Sequence, residues 1–215
     1  MKVRELVGRC ALAAESADPM ASIRQVLESL RGDIAQIEHA LQYISGTGGN
    51  AHQVFYRAPD LTLLKVRFPN GRRTPPHDHG TWATILLLSG AEKNTLYRTD
   101  NGSLRKASEV TLAPGSILSM RADTAHVAEC IGDQPTIGLH VYGGDIFALP
   151  RRMWHPQTLE AHPLDWTLYE NFARMASAAA GAPATRVRNP RFILRPRNSR
   201  ARPCSCCRQA AWPHA

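Results

Sequence analysis

Ile23, Val26, Leu27 and Leu30 recur at i, i+3, i+4 and i+7, and after Asp33 a second set, Ile34, Ile37 and Leu41, falls on one side of a helix. This spacing predicts two amphipathic helices in residues 1–50. Gly46, Gly48, Gly49 and Asn50 then break the pattern, and from Val54 the chain turns to short apolar runs of strand length. The predicted strands are Val54 to Arg57, Leu61 to Phe68, Thr84 to Leu88, Asn94 to Arg98, Glu109 to Leu112, Ser116 to Met120, Val127 to Ile131 and Thr136 to Tyr142. Turn chemistry separates them: Asn70-Gly71, Asp100-Asn101-Gly102, Pro114-Gly115, Gly132-Asp133 and Gly143-Gly144. Short strands at this spacing, with no helix between them, predict an antiparallel barrel or jelly roll. A last helix is expected after Asp165, which can cap it; Trp166, Tyr169 and Phe172 form an aromatic stripe expected to pack on the barrel. The expected order is a helical segment over 1–50, a mainly β domain over 51–150, an extension with a helix over 151–180 and a tail over 181–215.

Composition narrows the class. With 215 residues, 43% of them hydrophobic, the chain can build one domain with a sizeable core. Its most apolar run, Ile85 to Leu88, is far short of the ~18 residues that a membrane helix requires. Cys10 to Ala14 is too short for the core of a signal peptide and ends at Glu15, so a cytoplasmic location is expected. The formal charge of +8 suggests nucleic acid until its distribution is considered. Eight arginines and no acidic residue lie between Gly181 and Ala215, which leaves residues 1–180 neutral. The excess belongs to an expected unstructured tail, and the domain needs no nucleic acid for its function. Cysteines at 10, 130, 204, 206 and 207 are odd in number and suggest reduced thiols; the three in the tail are too crowded for a zinc half-site.

Four of the nine histidines, His77, His79, His126 and His140, fall inside the β region. Residues i and i+2 of a strand share a face, so His77 and His79 would enter the barrel interior about 7 Å apart, where two imidazoles can converge on one metal. The surrounding spacing sharpens this. Gly71, five residues, His77, one, His79, three, Ala83, six, Gly90 has the spacing of the first cupin motif, with Ala83 where Glu normally stands. Gly115, five residues, Arg121, one, Asp123, two, His126, three, Cys130 has the spacing of the second, with Arg121, Asp123 and Cys130 replacing Pro, Gly and Asn.

The chain thus resembles a cupin, a double-stranded β-helix or jelly-roll barrel, from about Val54 to Leu149, and the resemblance makes His77, His79 and His126 the expected metal ligands. Loss of the carboxylate leaves three neutral imidazoles and a full 2+ charge for anionic ligands from a substrate, a thiolate among them. With the run His77-Asp78-His79-Gly80-Thr81-Trp82, the later His140-Val141-Tyr142 and Gly143-Gly144-Asp145-Ile146, the chain is similar to the thiol dioxygenases of the cysteine dioxygenase and 3-mercaptopropionate dioxygenase family. The resemblance implies Fe(II), a small thiol acid and O2 as partners, and a sulfinic acid as product. It also implies that Tyr142 supplies a phenol at the reacting centre, oriented by His140.

Two departures are expected to matter. Mammalian-type relatives carry a Cys five residues after the second ligand, which crosslinks to the tyrosine; here that residue is Thr84, so Tyr142 should be unmodified. The Ser of a Ser-His-Tyr relay falls on Gly138, reducing the relay to a pair. For the substrate carboxylate, which arginine grips with a planar fork, the first choice is Arg151, nine residues after Tyr142. The second is Arg57, upstream of the first ligand, where His52 and Gln53 compete for the same register. Trp82 is expected to be structural, and His155 and His162 to be solvated. Two other functions fit three histidines: a different metal cupin, such as a carbon-directed dioxygenase or isomerase, and a non-enzymatic metal-binding sensor.

Overall fold

The computed structural model describes residues 2–42 and 52–181. The glycine-rich break and the basic tail from 182 onward, with its three cysteines, lie outside the described residues. Three helices open the chain: α1 (Val3–Ala14), α2 (Pro19–Glu28) and α3 (Ile34–Gln42). The hydrophobic spacing predicted the second and third. It missed α1, whose buried positions Leu6, Cys10 and Ala13 follow the same i, i+4, i+7 rule with small or sulfur-bearing residues in place of branched ones.

Strands β1 (His52–Arg57), β2 (Thr62–Phe68), β3 (Ala83–Ser89), β4 (Glu92–Asp100), β5 (Ser103–Leu112), β6 (Ile117–Met120), β7 (Thr124–Cys130) and β8 (Thr136–Tyr142) follow. They form two antiparallel sheets, ordered β1-β2-β8-β3-β6 and β5-β4-β7. All eight predicted strands are present, within a few residues of their expected bounds except β5, which begins earlier. The predicted class is met: the fold is mainly β, the double-stranded β-helix of cupins, with its two sheets not closed on each other. A short hairpin that the sequence did not suggest, β9 (Arg152–Trp154) with β10 (Ala161–Pro163), precedes helix α4 (Trp166–Ala179). Asp165 caps α4 as predicted, its carboxylate accepting from the Leu168 N–H at 2.8 Å.

Both faces of the five-stranded sheet are buried, which explains why β3 reads as the unbroken run Thr84 to Leu88 and not as an alternation. Leu63, Leu86, Leu88, Leu139 and Val141 face outward against the three N-terminal helices. Leu64, Val66, Phe68, Ile85 and Leu87 face inward and meet Leu112, Ala128 and Cys130 of the opposing sheet. The site lies on this inner side. No helix among the described residues is long and apolar enough to cross a membrane.

Candidate metal centre

His77, His79 and His126 come together as predicted. Their ring centroids are 4.6 to 5.3 Å apart, and one candidate ligand atom from each lies within 4.8 Å of the others. All three are buried. Backbone pairing causes the convergence: His77 and His126 face each other in an isolated antiparallel bridge, with reciprocal N–H···O bonds of 3.0 and 2.9 Å. The sequence argument put His77 and His79 in a regular strand, and this is corrected. They lie in an irregular segment between β2 and β3, which bridges β7 through His77 and β9 through His77 and Asp78. Gly80 lets the chain leave this segment at φ +65°, with Pro150 O only 2.6 Å from where a Cβ would stand.

The donor set suits a metal ion. His77 Nδ1 sits 3.0 Å from the Pro75 carbonyl and His126 Nδ1 2.8 Å from Asn94 Oδ1, acceptors that hold a proton on each Nδ1 and leave Nε2 with its lone pair. His126 Nε2 and His79 Nδ1 are buried with no hydrogen-bond partner, and a metal would satisfy such atoms. Burial and the neighbouring imidazoles push His77 and His79 well below their ordinary pKa, and burial takes His126 to about 3. The three rings are therefore neutral at pH 7, the form that binds a cation.

His140 and Tyr142 both face inward from β8, and the His140 Nδ1···Tyr142 hydroxyl distance is 2.9 Å. The Tyr142 ring is 5.1 Å from that of His79. Burial takes His140 to about 3 and raises the Tyr142 phenol above its ordinary value, so both are neutral. His140 lies over Gly138: a Cβ there would come within 2.8 Å of His140 Nε2. Across the ladder Tyr142 faces Ala83, while Thr84 pairs with Val141 on the outer face and contacts Ser119 at 3.2 Å. Strand alternation thus turns Thr84 away from the phenol.

Around these groups is a cavity of about 40 Å³, walled by Leu64, Val66, Phe68, Ile146 and Phe147 and also lined by His52, Arg151, Trp166 and Tyr169. Arg151 reaches it because β9 is pinned to the ligand segment: the Asp78 carboxylate accepts from Arg152 N at 2.7 Å and Arg152 Nε at 2.9 Å. Arg151 Nε donates to the Asp78 carbonyl at 3.1 Å, and its guanidinium lies 5.8 Å from the Trp166 ring centre. Among the described residues no carboxylate forms a salt bridge with it.

Arg57 is not among the cavity-lining residues. It is exposed and forms two 2.8 Å bonds to Asp145. Of the residues competing for that register, His52 is the one that reaches the cavity. Trp166 and Tyr169 do more than pack on the barrel, since they line the cavity. Trp82 is structural as expected, occupying the space against Gly143. His155 and His162, expected to be solvated, are half-buried and meet the Phe172 ring edge-on, with centroids at 4.9 and 5.5 Å. Asn94 and Glu92, two apart on one face of β4 and both buried, had no role in the sequence reading, because the run Glu-Lys-Asn-Thr reads as an ordinary polar strand.

No family model matches the sequence. Similar solved structures include the cupin domain of Cnp3 from Schizosaccharomyces pombe (12% identity, covering 45% of this chain and 61% of that one, TM-score 0.38). Others are a conserved protein with a double-stranded β-helix domain from Klebsiella pneumoniae (15%, 53% and 87%, 0.40) and hydroquinone 1,2-dioxygenase from Sphingomonas sp. TTNP3 (12%, 48% and 71%, 0.40). The match to the first spans less than two thirds of that domain's length.

Proposed function

We propose that the protein is an iron-dependent thiol dioxygenase, converting a small thiol carboxylic acid of the cysteine or 3-mercaptopropionate type to its sulfinic acid with O2. The observation that carries this reading is that a guanidinium without a carboxylate partner among the described residues, that of Arg151, lines the same small cavity as the three imidazoles. Iron held by His77, His79 and His126 would supply one-electron access to O2 and bring sulfur and oxygen together.

The chain's own residues do the rest. Arg151 receives the substrate carboxylate through a charge-assisted fork, which orients the thiol toward the histidines. Leu64, Val66, Phe68, Ile146 and Phe147 keep water away and strengthen that contact. Tyr142, neutral and hydrogen-bonded to His140, presents a phenol proton to polar atoms of the bound reactants. The balance is simple: the thiol sulfur gains both atoms of O2, and no external reductant is consumed.

Oxygen uptake by the Fe(II)-loaded protein, measured with a panel of thiols that includes cysteine, 3-mercaptopropionate and thiols lacking a carboxylate, tests the proposal. Uptake matched by sulfinic acid and restricted to carboxylate-bearing thiols is expected. No thiol-dependent uptake would overturn it and favour a carbon-directed cupin or a binding protein.

A further inference from the structure

Asn94 and Glu92 stand behind His126 in a chain of hydrogen bonds directed at one ring nitrogen. Both lie on β4, two residues apart and on the same face, and both are buried at 0% and 2% exposure. Asn94 pairs with Ala128 across the ladder, two positions from His126 on β7, so its amide reaches the imidazole diagonally. Its Oδ1 lies 2.8 Å from His126 Nδ1, while its Nδ2 donates to Glu92 Oε1 at 2.8 Å. Thr136 closes the chain by donating its hydroxyl to Glu92 Oε2 at 3.4 Å.

The chemistry of the three groups makes this order directional. Burial raises the Glu92 pKa, but both of its oxygens accept, one from Asn94 and one from Thr136, the arrangement of a carboxylate, so Glu92 draws the amide NH2 of Asn94 toward itself. The amide oxygen then has to face His126, where it can only accept, and the proton of the neutral imidazole settles on Nδ1. His126 Nε2, buried and unpartnered, is left with its lone pair toward His77 and His79.

We propose that Glu92 is a positioning residue of the metal centre: through Asn94 it selects the His126 tautomer that can bind a metal and holds the ring in line. It also places a buried carboxylate one hydrogen-bonded residue behind a ligand, in a barrel where Ala83 occupies the position of the usual ligating Glu. The proposal rests on the three-histidine centre and not on the thiol reaction.

The first test needs no metal. Nitrogen-15 NMR of the imidazoles in metal-free protein should show His126 as the Nδ1–H tautomer. Asn94→Leu removes the acceptor and should abolish that preference. Glu92→Gln retains the shape but can donate or accept, so the amide of Asn94 is free to flip and a tautomer mixture is expected. The double change Asn94→Asp with Glu92→Gln puts the acceptor-only group beside His126 and the amide behind it, and should restore the Nδ1–H form.

Affinity for Zn(II) alone should follow the same order. It should fall by roughly 10- to 100-fold in Asn94→Leu, by less in Glu92→Gln, and recover in the double variant. Circular dichroism would identify variants that fail to fold, and the paired swap, which keeps the side-chain volumes, then decides. An unchanged tautomer in Asn94→Leu and Glu92→Gln, or no recovery in the swap, would overturn the proposal. Zn(II) failing to bind the unaltered protein would instead reject the metal centre, and the expected tautomer shifts beside absent thiol oxidation would reject only the reaction.

Discussion

Replacing Arg151 by Ala tests how the substrate is held. The guanidinium is half-buried, bonds through Nε to a backbone carbonyl and meets no carboxylate among the described residues. Burial lowers its pKa, and a guanidinium keeps its proton in proteins. A carboxylate that docks there forms a charge-assisted pair in a small, largely apolar cavity. Truncating one partner of a buried charged pair costs on the order of 2 to 5 kcal/mol, and partial exposure puts this pair near the lower bound. About 2 kcal/mol corresponds to roughly a thirtyfold loss in kcat/KM. Arg57 provides the comparison, since Asp145 already binds it and it is exposed. Arg57→Ala should stay within about threefold. The assay is oxygen uptake at subsaturating thiol, with iron content measured so that metal loss is not mistaken for weak binding. The reverse ranking would refute the assignment and indicate a substrate held from the β1 side. If both variants retain full activity, the substrate has no carboxylate.

His77→Ala, His79→Ala and His126→Ala should each lose bound metal and turnover together, measured by elemental analysis and oxygen uptake; a variant that keeps stoichiometric metal would remove that residue from the ligand set. Metal-free protein should be markedly less stable to urea at pH 5.5 than at pH 7.5. His77, His79, His126 and His140 all titrate below 6.5 when folded, so below that pH the unfolded chain binds more protons and stability falls with pH, by up to about 1.4 kcal/mol per unit for each histidine. Equal midpoints at the two pH values would contradict the neutral, buried cluster. Gly138→Ala should displace the His140 ring, weaken its bond to Tyr142 and lower kcat by about fivefold, the equivalent of one neutral hydrogen bond; an unchanged kcat would show that the pair does not assist the reaction.

The three histidines were legible in the sequence because their spacings record turns and bridges as well as side chains. Gly80 after His79, and the gap that brings His126 opposite His77, are backbone requirements that leave a fixed trace. Periodicity located α2 and α3 through branched residues and missed α1, where Cys10 and Ala13 fill buried positions. Spacing alone did not show which way Thr84 faces, because the register of β3 against β8 is set by pairing across the sheet, which puts Ala83 opposite Tyr142. Glu92 and Asn94 carried no signal for a related reason: in the polar run Glu-Lys-Asn-Thr a buried carboxylate acquires its meaning only from partners on β7 and β8.

Charge links these observations. Ala83 offers no carboxylate to neutralise part of a bound cation, the three histidines are neutral, and among the described residues no acidic side chain lines the cavity. Arg151 adds a positive charge to the same space; the buried Asp78 carboxylate is paired with Arg152, and Glu92, linked to His126 through Asn94, acts from behind that ring without entering the cavity. A divalent metal and a guanidinium would together leave three positive charges facing a ligand, and in a medium of low dielectric such a field favours anions strongly. A thiolate and a carboxylate on one short molecule supply two negative charges, one for each pole of the site. An added ammonium, as in cysteine, would enter this field without an acidic partner among the lining residues. The charge distribution therefore ranks 3-mercaptopropionate above cysteine, and comparing kcat/KM for the two thiols at pH 7.5 checks the ranking; a preference for cysteine would mean that the ammonium points out of the cavity.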